Sequence, residues 1–391
     1  MIELPAILLL FCLLALIHGY AGYPIWWRLF GRRFPVLPAV TQVEDQGLPM
    51  VTIIVAAYNE ASCIASRVRN LVSLNYPSEL VTIFIESDGS DDDTVKLAMG
   101  AAAGDTRVIV FDHKERRGKV RVLNEACQRA VGDILVFSDA NVSFEPDVLR
   151  SLVARFRDQQ VGCVCGKLLF RVPEGRPHAA TEGLYWKLES WLKEQEGARG
   201  VLLGANGAIY AMRRSLWNDC PRDTLVEDFF IPLRLLMNGH RIVFEPKARA
   251  FEDLPPTIQD EFGRRVRIGA GDFQILSRSL GLLSPRHGLA AWAFLSRKVL
   301  RWLGPFFMIG TFVSGVWLAV LHHWLGLVAL FGWGAFISIA LLGMKAHQWK
   351  GRLGSLVGAV AHFAGMNLAL LFGFFRWLFK TQGVTWKRTA R

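Results

Sequence analysis

Four short runs rich in β-branched and apolar residues recur in the first half of the chain: Val51–Ala57 (VTIIVAA), Val81–Ile85, Arg107–Phe111 and Asp133–Ser138. A helical pattern follows each one, over Ala61–Leu74, Thr94–Ala103, Lys119–Ala130 and Pro146–Arg157. Strands separated by helices at this spacing predict an α/β fold, with a mainly parallel sheet and helices on both faces. The runs are apolar throughout rather than alternating, which fits a sheet buried on both sides. Sheets of this kind bind ligands beyond the C-terminal ends of their strands. The chemistry is therefore expected in the residues that end each run. These are Ala57, Tyr58, Asn59 and Glu60 after the first, Ser87 to Thr94 (SDGSDDDT) after the second, and Asp139-Ala140-Asn141 after the fourth.

No G-x-G-x-x-G follows the first run, which weakens a dinucleotide reading, and no G-x-x-x-x-G-K-[ST] occurs, which removes P-loop ATPases. In the acidic cluster, Ser90 or Asp91 is expected to cap the next helix, while Asp92 and Asp93 complement its dipole. Asp88 lies nearer the strand end and is the better ligand contact. Asp139 and Asn141, two residues apart, can project to one side of a cleft. A carboxylate and an amide oxygen suit a hard divalent ion that takes its remaining ligands from a substrate's phosphates. An ordinary strand-to-loop turn accounts for the same two residues equally well.

Other stretches are membrane-like. Leu4 to Trp27 carries no charge, and Tyr23, Trp26 and Trp27 precede Arg28, Arg32 and Arg33. This reads as an uncleaved anchor over 1–27 with its C-terminal side in the cytoplasm. Three further runs cover Gly304–Trp324, Leu325–Met344 and Leu353–Phe379, giving two to three membrane helices within 304–379 and a basic tail over 380–391. His322 and His323 form the turn of a hairpin rather than a metal site. A single crossing by the last run would place Arg376, Lys380, Lys387, Arg388 and Arg391 outside, against the positive-inside bias.

Charge agrees with this division. The net charge of +11 would suggest nucleic acid, yet Phe273–Arg391 holds 13 Lys plus Arg and no Asp or Glu. The remainder, Met1–Asp272, has 32 basic and 34 acidic residues. The basicity marks membrane flanks, and nucleic acid is not an expected partner. Six cysteines with no C-x-x-C pair fit thiols in a reducing compartment.

Taken in order, the motifs resemble the inverting family 2 glycosyltransferases of the membrane-embedded polysaccharide-synthase type, which have a GT-A nucleotide-sugar domain. VTIIVAAYNEAS resembles the family's opening strand, ESDGSDDDT its second-strand motif, RRGKVRVLNEA its G-K-x-x-x-L-N segment and SDAN its D-x-D. GANGAIYAMRR (Gly204–Arg214) resembles the acceptor-side strand, with Gly204, Asn206 and Gly207. LVEDFFIPLRLL resembles the E-D helix, and GRRVRI (Gly263–Ile268) the Q/R-x-x-R-W segment. The resemblance implies a GT-A domain over 48–254, interfacial helices over 255–303 and membrane helices at both ends of the chain.

It also implies roles. Ala57, Tyr58, Asn59, Glu60, Asp88, Gly118, Lys119, Asp139, Arg264 and Arg267 would bind the donor nucleotide, with Asp88 accepting from the base. Asp139 and Asn141 would hold Mg²⁺ or Mn²⁺. Asp228, beside Glu227, would be the general base. The expected partners are a nucleotide-sugar (a UDP-sugar first), a lipid-linked or glycan acceptor, the bilayer and membrane partner subunits, with the catalytic domain in the cytoplasm at a bacterial inner membrane. Two positions depart from the pattern: Asn141 replaces a second Asp, and Ile268 replaces the Trp, which puts processivity in doubt. Two alternatives stay open, a polyprenyl-phosphate sugar synthase and a catalytically degenerate partner subunit.

Overall fold

The structure, a computed structural model, describes residues 2–38, 47–171, 179–253, 258–345 and 352–385. The basic residues Lys387, Arg388 and Arg391 and the expected domain boundary at 254/255 lie outside the described residues. One eight-stranded sheet organises the chain: β1 (Val51–Ala57), β2 (Val81–Asp88), β3 (Val108–His113), β4 (Ile134–Asp139), β5 (Val142–Phe144), β6 (Val161–Arg171), β7 (Tyr210–Arg213) and β8 (Arg241–Asp253). Their order is β3-β2-β1-β4-β7-β6-β8-β5. The first four strands pair in parallel, as the strand–helix alternation predicts. The other half is mixed. β7 is antiparallel to both β4 and β6, β8 is parallel to β6, and β5 is antiparallel to β8. Only Ala140 and Asn141 separate β4 from β5, so the chain leaves the sheet centre at the D-A-N turn and joins the far edge.

Alternate residues of the strands feed two cores. Ile54, Ala56, Leu135, Phe137, Cys163 and Cys165 face one side, under helices Lys119–Arg129 and Glu227–Met237. Ile53, Val55, Ile83, Val136 and Val164 face the other, under helices Ile64–Val72 and Val148–Ala154. Complete burial of residues such as Ile53, Ile54 and Val55 stabilises the sheet by about 1.5–3 kcal/mol per side chain. The first core continues through Tyr23, Trp27, Phe294 and Trp302 into the apolar helices.

An ionic clamp fixes that junction. Glu196 accepts from the Tyr23 hydroxyl (2.7 Å) and from Arg297. Glu189 accepts from Arg297 and Arg301, each at 2.7 Å, and Arg301 also donates to the Gly19 carbonyl (2.8 Å). Glu196 and Arg297 are buried, so neither charge has water to replace its partner.

Among the described residues, three helices are long and apolar enough to cross a membrane: Glu3–Arg33, Trp324–Met344 and Gly354–Leu378. The stretch Gly304–Val320 qualifies only together with Leu289–Trp302, from which it bends by 60°. His322 and His323 form the turn between Gly304–Val320 and Trp324–Lys345, as expected. The last helix, Arg352–Leu378, packs Val357 and Ala361 near Gly343, Asn367 near Tyr20 and Gly304, and Leu370 against Gly269. Phe374 and Trp377 reach Phe273, and Val384 beyond the helix lies beside Gly118 of the sheet domain. The segment that follows the helix thereby approaches the sheet domain.

Candidate active site

The C-terminal ends of β1, β2 and β4 and the N-termini of two helices converge on Lys119. Its ammonium lies 2.9 Å from Asp139 Oδ1 at the end of β4 and 2.8 Å from Glu227 Oε1 in the first turn of the next site helix. Burial alone would pull the lysine's proton affinity down. Asp139, Glu227 and Asp228 together outweigh it, so the pKa is raised and the ammonium persists. Helix Lys119–Arg129 starts at Gly118, whose φ of +90° a residue with a β-carbon rarely adopts.

Asp88 determines that start. Its Oδ1 accepts from the Arg117 amide (2.7 Å) and its Oδ2 from the Gly118 amide (2.9 Å), and the residue is fully buried. Both oxygens of Asp88 thus hold loop amides, and each keeps a further lone pair for another donor. Asn59 is tied into the neighbouring loop. Its side chain exchanges hydrogen bonds with Asp91, and its amide donates to Ser90 Oγ (3.1 Å). Ser90 and Asp91 therefore latch the β1 loop rather than cap a helix. Asp92 is the residue that accepts from the Thr94 amide (3.0 Å), and it also accepts from Ala61 (3.2 Å). Tyr58 sits under the Arg116 guanidinium, 3.6 Å from ring centroid to charge, at the mouth of this region. Glu60 follows, its amide donating to Thr94 Oγ1 (2.8 Å), and Ala57 closes β1 as a buried residue.

Asp228 faces the acceptor-side segment. Its Oδ2 accepts from the Gly207 amide (2.8 Å), and its backbone carbonyl accepts from Ala205 (2.9 Å). A β-carbon on Gly207 would sit 3.1 Å from Asp228 Oδ2 and 3.5 Å from Lys119 Nζ, so glycine permits the close approach. At Gly204, φ is +118° and a β-carbon would collide with the Phe229 ring at 2.3 Å. Burial first, then Glu227 and Asp139, push the Asp228 carboxyl up to about 6, with Lys119 and the Gly207 amide opposing. A carboxylate poised near neutrality beside an open segment can accept a proton from a hydroxyl.

Asp139 and Asn141 flank the same space. Asn141 donates from Nδ2 to Glu252 (2.8 Å), which fixes its amide and leaves Oδ1 with no hydrogen bond among the described residues. No cluster of three or more His, Cys, Asp or Glu among the described residues could hold a metal alone. One carboxylate and one oriented amide oxygen fit an ion that draws the rest of its shell from diphosphate and water. Beneath them lies a residue the sequence reading missed. Arg67, 2% exposed, donates to Ser138 Oγ (2.6 Å) and Asn70 Oδ1 (2.8 Å) and lies over the Phe144 ring. Burial pushes it down to about 9, opposed by Asp139. Its signal was an arginine on an otherwise apolar helix face, with Ile64, Val68 and Leu71.

Arg267 donates to the Leu225 carbonyl (3.0 Å), just ahead of Glu227. Arg264 is exposed on the same helix, Ile258–Arg278, one turn earlier. Arg265, between them, turns to Met366 of the last helix. Arg267 thus joins the site through the backbone, whereas Arg264 stands at its margin.

Comparisons with known proteins place the fold and the family. The chain is 25% identical over 280 residues to the poly-beta-1,6-N-acetyl-D-glucosamine synthase of Staphylococcus aureus (strain COL), covering 71% of this chain and 64% of the relative. To the synthase of the same name from Staphylococcus epidermidis it is 24% identical over 239 residues, covering 60% and 57%. The matches therefore span less than two thirds of these relatives' length. In fold it resembles the mannosyltransferase PcManGT from Pyrobaculum calidifontis, solved with GDP-mannose and Mn²⁺, at a TM-score of 0.72 and 21% identity, covering 96% of this chain and all of that one. The profile of the family described as "Glycosyltransferase like family 2" matches residues 49–279, more than half of the 391-residue chain. The chain belongs to the family described as "Glycosyltransferase like family 2".

Proposed function

We propose that the chain transfers a sugar from a nucleotide-sugar, a UDP-sugar first among candidates, to a hydroxyl of a lipid-linked or envelope glycan, with inversion at the anomeric carbon. Asp228 is the general base. It takes the hydroxyl proton as that oxygen attacks the anomeric carbon opposite the leaving diphosphate. One displacement inverts the centre, so no nucleophilic side chain is needed. The observation that carries this reading is Asp228 itself, raised to about 6 and held at 2.8 Å by the Gly207 amide.

Lys119 and Arg267 favour the charge that develops on the departing diphosphate. Glu227 keeps Lys119 in place from 2.8 Å, and Asp88 shapes the loop that presents Gly118 and Lys119. Asp139 and Asn141 Oδ1 would hold Mg²⁺ or Mn²⁺, which supplies Lewis-acid stabilisation of the diphosphate when bound. Tyr58 with Arg116 offers a flat surface to the base, and Gly204, Asn206 and Gly207 border the acceptor.

The basic flanks of the apolar helices support a cytoplasmic catalytic domain, and the membrane in this reading is a bacterial inner membrane. The course of the last helix, whose Arg376 end reaches the catalytic domain, agrees with that side. A panel of UDP- and GDP-sugars, assayed for nucleotide release by the purified chain with Mg²⁺ or Mn²⁺ and an oligosaccharide acceptor, tests the proposal. Release with one donor and a sugar added to the acceptor supports it. No release and no nucleotide binding with any donor would overturn it.

A further inference from the structure

Lys193 is a cation the catalytic scheme does not use. It belongs to helix Ala179–Gly197, whose Glu189 and Glu196 are committed to Arg297, Arg301 and Tyr23. Lys193 Nζ donates to Asn206 Oδ1 at 2.5 Å. Asn206 is itself fixed, its amide donating to Cys165 Sγ (3.3 Å) and its Nδ2 to the Gly166 carbonyl (3.4 Å). The next residue, Gly207, gives its amide to Asp228. The ammonium therefore stands one residue from the segment that holds the proposed base.

It is half-buried, and no carboxylate lies within 4.0 Å of it among the described residues. The neighbouring Glu194 is 3.7 Å from Lys167. Lys119, by contrast, has two carboxylates within 3 Å. An ammonium carries three donors, and a single amide oxygen satisfies one of them. Partly desolvating a charge is unfavourable unless a counter-charge compensates. In this site the missing counter-charge can come from the ligand.

We infer that Lys193 receives an anionic group, a phosphate or a carboxylate, carried by the acceptor close to the hydroxyl that Asp228 deprotonates. The inference rests on the reading of Asp228 as general base and adds the charge of the acceptor to it. Lys193 is thus a specificity-determining residue, and the favoured acceptor is an anionic glycan or a glycosyl phosphate rather than a neutral sugar.

The test uses the full chain in lipid nanodiscs and three acceptors that share one alkyl glycoside: neutral, phosphorylated, and oxidised to the uronic acid. KM for each is read from nucleotide release. The wild type should prefer one charged acceptor, with a KM that rises with salt, and the identity of that acceptor separates phosphate from carboxylate. Lys193→Met should raise that KM roughly tenfold or more relative to the neutral acceptor, the scale of one charge-assisted hydrogen bond. Lys193→Arg should recover most of the preference. Equal KM values for all three acceptors in the wild type, or a Lys193→Met effect that is the same on all three, would overturn the inference while donor turnover stays intact. A wild type inert toward every donor overturns the transferase reading as well, which keeps the two failures distinct.

Discussion

Lys119→Met perturbs the site at its centre, and its effect on Asp228 can be sized. A β-carbon on Gly207 would reach both Asp228 Oδ2 (3.1 Å) and Lys119 Nζ (3.5 Å), so those charges are no further apart than the two reaches combined. At a separation of ~6.6 Å and an effective dielectric of ~20, a unit charge pair interacts by ~2.5 kcal/mol, or ~1.8 pH units. Asp228 lies at about 6 with Lys119 lowering it. Removing the ammonium should raise the carboxyl further, by one to two units at this scale. The base works as carboxylate, so kcat/KM should fall as pH drops through about 6 in the wild type. In Lys119→Met the same acid limb should move to higher pH on whatever activity survives.

Stability gives a second readout that needs no turnover. The Asp228 pKa is raised from 3.8 to about 6 on folding, so between those values the folded chain holds the proton that the unfolded chain has lost. That contribution is complete at low pH and lost as pH rises through about 6. In the variant the loss should continue to higher pH. Melting temperature across pH, together with the pH profile of kcat/KM, checks both. An acid limb that stays in place or moves down would refute this account of how Lys119 and Asp228 interact.

Other expectations follow from single contacts. Asp228→Asn should lower kcat by ~10²–10⁴, the range for loss of a general base, while isothermal titration finds nucleotide affinity little changed. Glu196→Gln leaves buried Arg297 with Glu189 as its one remaining carboxylate and should cost less than the ~3–5 kcal/mol of a fully broken buried pair, read as a lower melting temperature in detergent; an unchanged value would mean that the Glu196 charge contributes nothing. Gly118→Ala forces a β-carbon into φ +90° at a point where Val384 lies 3.6 Å away. It should destabilise by ~1–2 kcal/mol and weaken nucleotide binding through Lys119, as measured by denaturant melts and titration.

Much of the donor half was legible because it is local. The β-branched runs set β1 to β4 nearly to the residue, and the 3.6-residue period set the helices between them. The second half was harder because β5 has only three residues and pairs with β8 about a hundred positions later, a contact no local pattern encodes. At the site, motif order located Asp139, Lys119, Glu227 and Asp228 correctly as neighbours. It could not tell which oxygens remain available. Asp88 and Asn59 have residue types suited to ligands, and no local pattern shows that loop amides and Asp91 also engage them. Arg67 was missed for the opposite reason: its place beneath Asp139 depends on burial, and a lone arginine on a helix does not announce that. The last apolar run was ambiguous because hydropathy sets length and not direction; the contacts of Phe374, Trp377 and Val384 show what its C-terminal end packs against.

The central claim is a single displacement assisted by Asp228. It is tested most directly by proton NMR of the first product, formed from an α-linked nucleotide-sugar by the purified chain. The account predicts a β linkage, seen as a large anomeric coupling for a gluco-configured sugar, and loss of its formation in Asp228→Asn. An α-linked product, or an Asp228→Asn chain that turns over as fast as wild type, would contradict it.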